Sequence, residues 1–187
     1  MNLFDSPKYD KVLNKRPNPP GMQTKKRFSK QSEFGKQLSE KQKVRIMYGI
    51  TDRQCRNYFA KASKNTEETG KTFLTLLERR LDNAVFQAGL GVTRNAGRQM
   101  VSHGLIKLNG KRVRTPSIQV KVGDHFAVRE RSMKSPLFAS LEKRKYTPPG
   151  WLKVDLAKKA VEVIRMPNES ELPQLVDVRS VIGFYSK

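Results

Sequence analysis

The chain has 187 residues and a formal net charge of +21, because 38 Lys and Arg side chains outnumber 17 Asp and Glu. A charge of this size indicates a polyanionic partner, and nucleic acid is the leading candidate because cations displace condensed counterions from phosphates. The composition also excludes other classes, since one cysteine and two histidines cannot form a disulfide framework or a zinc site, and no apolar run reaches the roughly 18 residues of a membrane span.

The positive charge is not spread evenly along the chain. Residues 1–61 carry a net charge of +10, residues 62–91 are neutral, residues 92–131 carry +7 and residues 132–187 carry +4. This distribution predicts two basic binding surfaces joined by a neutral packing helix. The first residues contain no apolar stretch typical of a secretory signal, which favours a cytosolic protein.

The sequence of the first 49 residues predicts a basic extension followed by a helix. Residues 1–35 are rich in Pro, Lys and Arg and poor in apolar side chains, so we expect an irregular extension that becomes ordered on a partner. A disordered tail is the alternative. Ser39 and Gln42 form a capping-box pattern that predicts a helix start, and Gly49 predicts its end after Tyr48.

Two more helices are predicted next. Thr51 and Gln54 form a second capping-box pattern, and this helix places Cys55 and Phe59 on one apolar stripe. We expect Cys55 to be a buried small hydrophobe. The apolar residues of 72–88 follow a period of 3.6 and predict a single longer helix.

The second half begins with a helix and continues with strands. Thr93 can cap a helix over 94–103, after which apolar residues alternate with polar ones. Asn109-Gly110 predicts a hairpin with a type I′ turn, and further strands are predicted around 118–122 and 126–128.

Toward the C-terminus the pattern is weaker. A short helix is predicted around 137–145, and a second hairpin from 151–156 and 160–165, although its turn lacks the usual turn residues. Residues 173–187 are apolar enough that we expect them to pack back onto a core.

Two groups of side chains are candidates for RNA contact. In the helix over 94–103 and the hairpin after it, guanidiniums and amides share a face suited to phosphate, 2′-hydroxyl and base-edge contacts, and a solvated basic face is the alternative. In the helices over 39–62, aromatics among bases can stack on splayed nucleotides or fill a small core, and we favour the core for Phe59. The predicted RNA-binding residues are Lys41, Lys43, Arg45, Arg53, Arg56, Tyr58, Lys61, Arg79, Arg94, Arg98, Gln99, His103, Lys107, Asn109, Lys111, Arg112 and Arg114.

No catalytic or cofactor-binding pattern is present. The sequence has no G-x-x-x-x-G-K-[ST] loop, no H-E-x-x-H motif and no G-x-S-x-G motif. Isolated carboxylates such as Asp52 and Asp82 have ordinary capping or ion-pair roles open to them. We therefore predict a binding protein with no enzymatic activity, no cofactor, no metal and no small-molecule substrate, and we expect no membrane partner.

Two stretches resemble a known family. Residues 40–59, EKQKVRIMYGITDRQCRNYF, and residues 78–110, ERRLDNAVFQAGLGVTRNAGRQMVSHGLIKLNG, are similar in order and spacing to bacterial-type small-subunit ribosomal protein four. The turn at Gly123-Asp124 and the closing FYSK at 184–187 are also similar to that family. The second stretch alone is a helix-hairpin RNA-binding module that also occurs in pseudouridine synthases, a tyrosyl-tRNA synthetase and a heat-shock protein, so the first stretch makes the resemblance specific.

The resemblance implies an α+β fold, in which a helical lobe carries an inserted RNA-binding domain of helices packed on a small, mainly antiparallel sheet. The implied domains are a basic extension over 1–35, a helical lobe over 36–77 completed by 168–187, and the inserted domain over 78–167, with its helix-hairpin module at 78–140. The zinc-binding cysteines of some family members are absent, so metal binding is not implied.

The resemblance also implies a function. It implies a structural constituent of the small ribosomal subunit that binds the 5′ domain of its rRNA early, nucleates assembly and, with ribosomal protein five, influences translational accuracy. Other small-subunit proteins are expected partners, and messenger RNA is expected nearby, where it enters the subunit. The implied location is a cytoplasmic, bacterial-type ribosome, with an organellar ribosome as the alternative. An RNA-binding accessory factor or an RNA-modifying enzyme that uses the same module is the alternative function.

Overall fold

The computed structural model describes residues 7–16, 31–64, 68–133, 135, 138 and 147–186. Within these ranges the α-helices are α1 (Pro7–Lys15), α2 (Glu33–Met47), α3 (Asp52–Ala62), α4 (Thr69–Glu78), α5 (Leu81–Gln87), α6 (Arg94–Ser102), α7 (Glu130–Met133) and α8 (Val178–Tyr185). A short 3-10 helix, Glu169–Glu171, precedes α8. The strands are β1 (Ile106–Leu108), β2 (Lys111–Arg112), β3 (His125–Val128), β4 (Leu152–Asp155) and β5 (Ala160–Val163).

The strands form one antiparallel sheet in the order β2, β1, β3, β5, β4. In its centre, Phe126 of β3 pairs with Leu108 of β1 and with Val161 of β5. Phe126 and Val128 alternate with exposed or half-buried neighbours, as expected for a strand with one face on a core. The described residues thus form the α+β fold that was predicted.

The described residues form two separate hydrophobic cores. One lies between the sheet and α5 and α6, and its buried members all fall between Leu81 and Val163. The other lies among α2, α3, α4 and α8, and its buried members run from Val44 to Val181. We call α5, α6, α7 and the sheet the sheet lobe, and we call α2, α3, α4 and α8 the helical lobe.

The expectation that the C-terminal segment packs back onto a core is confirmed. Val181 of α8 is fully buried in the core of the helical lobe, together with Leu172 and Val176 from the segment before it. Phe59 also belongs there, because its ring stacks on Tyr185 with 4.8 Å between ring centroids. The chain therefore leaves the helical lobe after α4 and returns to it only at its end.

The prediction of one helix over 72–88 is wrong, because the chain forms α4 and α5 with a break at Arg79-Arg80. Arg80 has the extended dihedrals φ −64° and ψ 136°, and it bridges to Gln119. The N–H of Leu81 donates to the carbonyl of Ile118 at 2.8 Å. A distant segment therefore takes the backbone hydrogen bonds that a continuous helix would have used.

The strand predicted around 118–122 is also wrong. Its backbone instead contacts the break between α4 and α5, where the N–H of Val120 donates to the carbonyl of Arg79 at 2.9 Å. Val122, the last apolar residue of the predicted alternation, is exposed. The segment therefore joins the two lobes and adds no strand to the sheet.

The predicted start of the first long helix is wrong by about two turns. α2 begins at Glu33, and the hydroxyl of Ser32 accepts the N–H of Gly35 at 3.2 Å, so that Ser39 lies inside the helix. Within the extension that was expected to be irregular, Pro7–Lys15 form α1, and proline is suited to the first position of a helix. The helix predicted around 137–145 lies outside the described residues, except for the buried Phe138.

Several local predictions are confirmed. Both hydrogen bonds of the capping box between Thr51 and Gln54 are present, at 3.1 and 3.3 Å. Gly49 ends α2 with a φ of +60°. Asn109 and Gly110 both have positive φ, as a type I′ turn requires, and β4 and β5 form the second hairpin.

Candidate nucleic-acid interface

Helix α3 has a basic outer face. Its inner side buries Cys55 and Ala62, and the helical period therefore turns Arg53, Arg56 and Lys61 outward. These three cations are exposed, and their side chains form no hydrogen bond or salt bridge with another described residue. We call Arg53, Arg56 and Lys61 the α3 surface.

The hairpin of β1 and β2 contributes a second basic surface. Lys111 and Arg114 are exposed and form no hydrogen bond or salt bridge within the described part of the chain, and we call them the hairpin surface. Arg112 is exposed too, but it donates to the carbonyls of His103 and Gly104 at the end of α6, at 3.2 and 3.3 Å. A cation at the C-terminal end of a helix stabilises the unpaired carbonyls there.

Other predicted residues of the hairpin have partners inside the protein. Asn109 donates to Asp124 at 2.8 Å and accepts the N–H of His125 at 2.9 Å, which ties the turn to β3. Lys107 forms a salt bridge of 3.0 Å with Glu130. These side chains hold the hairpin in place.

Helix α6 packs closely against α5. Thr93 caps it by accepting the N–H of Ala96 at 3.1 Å. A Cβ atom on Gly97 would lie 2.6 Å from the carbonyl oxygen of Asp82, so only glycine allows this approach. The exposed side of α6 includes the predicted residue Gln99, and the predicted His103 is exposed at its end.

The two arginines of α6 do not point freely into solvent. Nε of Arg94 donates to Asn83 at 3.0 Å, and its guanidinium lies 4.8 Å from the ring centroid of Phe86 and 5.5 Å from that of Tyr48. Nη1 of Arg98 donates to the carbonyl of Gly49 at 3.1 Å. Both arginines therefore connect the sheet lobe to the end of α2.

A buried polar cluster lies beneath these arginines. The carboxylate of Glu78 accepts hydrogen bonds from the hydroxyl of Tyr48, from Asn83 at 2.6 Å and from Gln87 at 2.8 Å. Glu78 is 1% exposed. The cluster therefore joins the end of α2, the end of α4 and helix α5 through one carboxylate.

Arg80 forms the other half of this cluster. Its guanidinium binds the carboxylate of Asp82 in a two-pronged arrangement, at 3.0 and 2.7 Å, and donates to the hydroxyl of Tyr58 at 2.8 Å. Burial lowers the pKa of Arg80, but the hydrogen bonds and charge of Asp82 outweigh burial and raise it. The predicted RNA-binding residue Tyr58 is thus engaged by Arg80, which also lies over its ring.

Sequence reasoning missed this interlobe cluster, which consists of Tyr48, Tyr58, Glu78, Arg80, Asp82, Asn83, Gln87, Arg94 and Arg98. No signal in the sequence marked it, because Leu77, Leu81 and Ala84 carry the apolar period of the predicted long helix through this stretch. Buried polar groups require partners. These partners come from α2, α3 and α6, so they can be recognised only in the folded chain.

Most of the predicted RNA-binding residues of α2 contact other side chains of the protein. Lys41 is 8% exposed, and its ammonium lies 2.7 Å from Asp52 and 4.6 Å from the ring centroid of Phe184. The hydrogen bond from Lys41, aided by the nearby charges of Arg56 and Arg45, lowers the pKa of Asp52.

Three further predicted cations lie partly inside the fold. Lys43 pairs with Glu40 and donates to the carbonyl of Leu175 at 3.3 Å. Arg79 donates to the carbonyl of Val120 at 2.9 Å, and burial lowers its pKa. Arg45 is half-buried.

Two hollows lie beside the α3 helix. A polar cleft of about 170 Å³ lies between α3 and Ser117, and Asn57 and Lys61 line it. A second hollow of about 480 Å³ lies where the corner between α2 and α3 meets Asn95 of α6. Exposed polar groups therefore continue from α3 to the sheet lobe.

Neither a metal centre nor a membrane helix is found in the described part of the chain. No group of three or more His, Cys, Asp or Glu side chains in these ranges could hold a metal ion. None of the described helices is both long enough and apolar enough to span a bilayer.

Comparisons with known proteins match two parts of the chain separately and the chain as a whole. Residues 1–78 match the family described as ribosomal protein S4/S9 N-terminal domain, and residues 79–126 match the S4 domain. The small ribosomal subunit protein uS4 of Borrelia duttonii (strain Ly) is 44% identical over 192 residues, which cover 100% of this chain and 91% of that protein. Proteins with the same name from Borreliella burgdorferi (strain ZS7) and Borreliella afzelii (strain PKo) are 42% and 39% identical with the same coverage. The two family matches meet at residue 78, where α4 ends.

Proposed function

Because the chain belongs to the family of small ribosomal subunit protein uS4, we propose that it is a structural constituent of the small ribosomal subunit and acts by binding rRNA. The observation that carries this proposal is the pair of exposed basic surfaces without acceptors among the described residues. The α3 surface and the hairpin surface lie on different lobes, and a polar cleft lies between α3 and Ser117. Cations without protein acceptors are suited to phosphates.

We propose that direct RNA contacts come from the predicted residues whose polar ends are exposed. These are the α3 surface, the hairpin surface, Gln99 and His103. The guanidiniums suit phosphates and base edges, and the amide of Gln99 suits 2′-hydroxyls and base edges. The predicted residues with partners inside the fold would support these contacts by fixing the scaffold, and among them are Lys41, Lys43, Tyr58, Arg79, Lys107, Asn109 and Arg112.

The finer role that we propose follows the family resemblance. The chain would bind the 5′ domain of the small-subunit rRNA, nucleate assembly of the subunit and, beside ribosomal protein five, influence accuracy near the point where messenger RNA enters. The proposed location is a cytoplasmic ribosome. We also propose the domain division into 1–35, 36–77 with 168–187, and 78–167, with the helix-hairpin module at 78–140. Binding alone suffices for this role, so no enzymatic activity is proposed.

The test is a competition titration of the purified chain against a small-subunit rRNA 5′-domain fragment and an unrelated RNA of equal length, repeated over a range of salt concentrations. We expect preference for the rRNA fragment and a fall in affinity with salt of about 0.7 to 0.9 logarithmic units per phosphate and per tenfold salt. Equal affinity for both RNAs would contradict specific rRNA binding.

Sucrose-gradient fractionation distinguishes a ribosomal constituent from an accessory factor. A constituent should remain with the small subunit after a high-salt wash at one copy per subunit. Release of the chain into the wash would instead favour an accessory RNA-binding factor.

A further inference from the structure

We propose that Arg94 and Arg98 are positioning residues, which fix the sheet lobe against the helical lobe and thereby hold the α3 surface and the hairpin surface at one spacing. This inference rests on the proposed binding of rRNA. It departs from the sequence-based expectation that these two arginines contact RNA themselves. Their contacts within the protein support the new role.

Arg98 joins the lobes by a charge-assisted hydrogen bond. Its Nη1 lies 3.1 Å from the carbonyl oxygen of Gly49 and 3.8 Å from the carboxylate of Asp82. Gly49 turns the corner after α2 with a φ of +60°, and a Cβ atom placed there would lie 3.4 Å from Oδ1 of Asn95 in α6. The start of α6 therefore meets this corner closely, and Arg98 connects its backbone to the sheet lobe.

Arg94 joins the lobes through contacts with two aromatic rings. Its guanidinium contacts the ring of Phe86 in the sheet lobe and the ring of Tyr48 in the helical lobe, while Nε donates to the buried Asn83. A guanidinium can stack on rings and donate in its plane at the same time, and an ammonium cannot. This geometry therefore requires arginine in particular.

The buried cluster beneath the two arginines gives the contact one preferred arrangement. Tyr48 of the helical lobe and Asn83 of the sheet lobe donate to the same carboxylate of Glu78, and Arg80 connects Tyr58 to Asp82. Buried hydrogen bonds are strong because water does not compete, and a displaced arrangement would leave buried polar groups without partners. The lobes should therefore not rotate freely about the break at Arg79-Arg80.

A fixed spacing has a direct effect on RNA binding. When one surface binds a folded RNA, the other surface is already held near its own site, so its effective concentration is high. Freeing the lobes would lower the affinity for an RNA that contacts both surfaces, without removing any phosphate contact. A residue that contacts a phosphate would instead lower both the affinity and the salt dependence.

The first experiment uses this difference in the full-length chain. Affinity for the rRNA 5′-domain fragment is measured over a range of salt concentrations for the wild type, Arg98→Ala, Arg94→Lys and the control Arg53→Ala. We expect Arg98→Ala to bind about tenfold more weakly, within the usual range of coupling between sites, with the salt slope of the wild type. Arg53→Ala should lower the salt slope by the contribution of about one phosphate contact.

The second experiment measures the lobes directly, without RNA. Spin labels are placed on Gln42→Cys of α2 and on Ala157→Cys of the turn between β4 and β5, both exposed positions. Cys55 stays in place, because burial raises the pKa of its thiol and keeps it unreactive. The distribution of distances between the labels should be narrow in the wild type and broader in Arg98→Ala. Tyr48→Phe should also broaden the distance distribution, although Tyr48 is buried and cannot reach RNA.

Each outcome decides the proposal. A lower salt slope with an unchanged distance distribution would make Arg98 an RNA ligand and overturn it, as would a broader distribution without loss of affinity. Arg94→Lys keeps the net charge and provides the same test if Arg98→Ala does not fold. If the wild type does not prefer the rRNA fragment, the proposed function fails, while the distance measurement still reports on the contact between the lobes.

Discussion

Helices α3 and α6 carry the same sequence signal, and the structure uses it in two ways. Each helix begins after a capping threonine and presents two arginines three or four residues apart, with planar amides nearby. On α3, Arg53 and Arg56 are exposed and have no hydrogen-bond acceptor among the described residues. On α6, Arg94 and Arg98 donate to Asn83 and Gly49 of the protein itself.

The difference arises from what lies next to each helix. On the outer side of α3, Arg53 and Arg56 form no hydrogen bond or salt bridge with a described residue, whereas α6 is packed between α5 and the corner that follows α2. An arginine beside a backbone carbonyl or a buried amide of its own chain will bind it, because the protein partner is always present. Helical spacing therefore identifies a basic face but does not decide whether RNA or the protein neutralises it.

The strongest way to break the α6 arrangement is Asp82→Ala, which leaves the guanidinium of Arg80 buried without its carboxylate. Both side chains are almost fully buried, with 2% and 5% of their surface exposed. We expect the free energy of unfolding to fall by about 3 to 5 kcal/mol, as measured by urea denaturation. The control is Glu130→Ala, which removes an exposed salt bridge to Lys107 and should leave the midpoint near that of the wild type. A loss below about 1 kcal/mol for Asp82→Ala would mean that the buried pair is not needed.

The α3 surface should behave in the opposite way. The double variant Arg53→Ala with Arg56→Ala should lower the salt slope of rRNA binding by about 1.4 to 1.8, as expected for two phosphate contacts. Its free energy of unfolding should stay within about 0.5 kcal/mol of the wild type, because both side chains are exposed and neither forms a hydrogen bond or salt bridge with a described residue. A large loss of stability with an unchanged salt slope of rRNA binding would show that the protein itself binds the arginines of α3, as it binds those of α6.

The capping threonines test what the two helices share. Thr51→Ala and Thr93→Ala each remove a side-chain acceptor at a helix start, and each should lower the free energy of unfolding by about 1 kcal/mol. Thr115→Ala is the matched control, because Thr115 is exposed in a loop. Equal effects of all three substitutions in thermal or urea unfolding would contradict a stabilising role of the two capping threonines.

The smallest expected effect concerns acid and the start of α3. The hydrogen bond from Lys41 holds the pKa of Asp52 below its ordinary value of 3.8. Stability from this pair should therefore be fully present above pH 3.8 and be lost as the pH falls through the lower folded value. Asp52→Asn should be less stable than the wild type near neutral pH. The difference in the free energy of unfolding between the two proteins should disappear at low pH. A difference in the free energy of unfolding that stays constant down to about pH 2 would contradict the lowered pKa of Asp52.

The features that the sequence predicted correctly are local ones. The capping box of α3, the end of α2 at Gly49 and the turn at Asn109-Gly110 each depend on residues within four positions of one another. Such signals act through backbone geometry and short hydrogen bonds, so they can be recognised without the rest of the fold.

The features that the sequence did not predict depend on distant partners. The break at Arg79-Arg80 is stabilised by a segment about 40 residues later, through Arg79 and Val120. The early start of α2 places the buried Gln37 against Gly183 of α8, near the other end of the chain. The contacts of Arg94 and Arg98 likewise depend on Asn83 and Gly49, which lie 11 and 49 residues earlier in the chain.

The order of the two cores along the chain has a consequence for synthesis. All buried members of the sheet-lobe core lie between Leu81 and Val163, whereas the helical-lobe core needs Val181. Helices α2, α3 and α4 therefore emerge first from the translating ribosome but must wait for α8 before their apolar side chains are covered. We expect the sheet lobe to complete its native packing before the helical lobe does during synthesis, because its last buried residue precedes Val181.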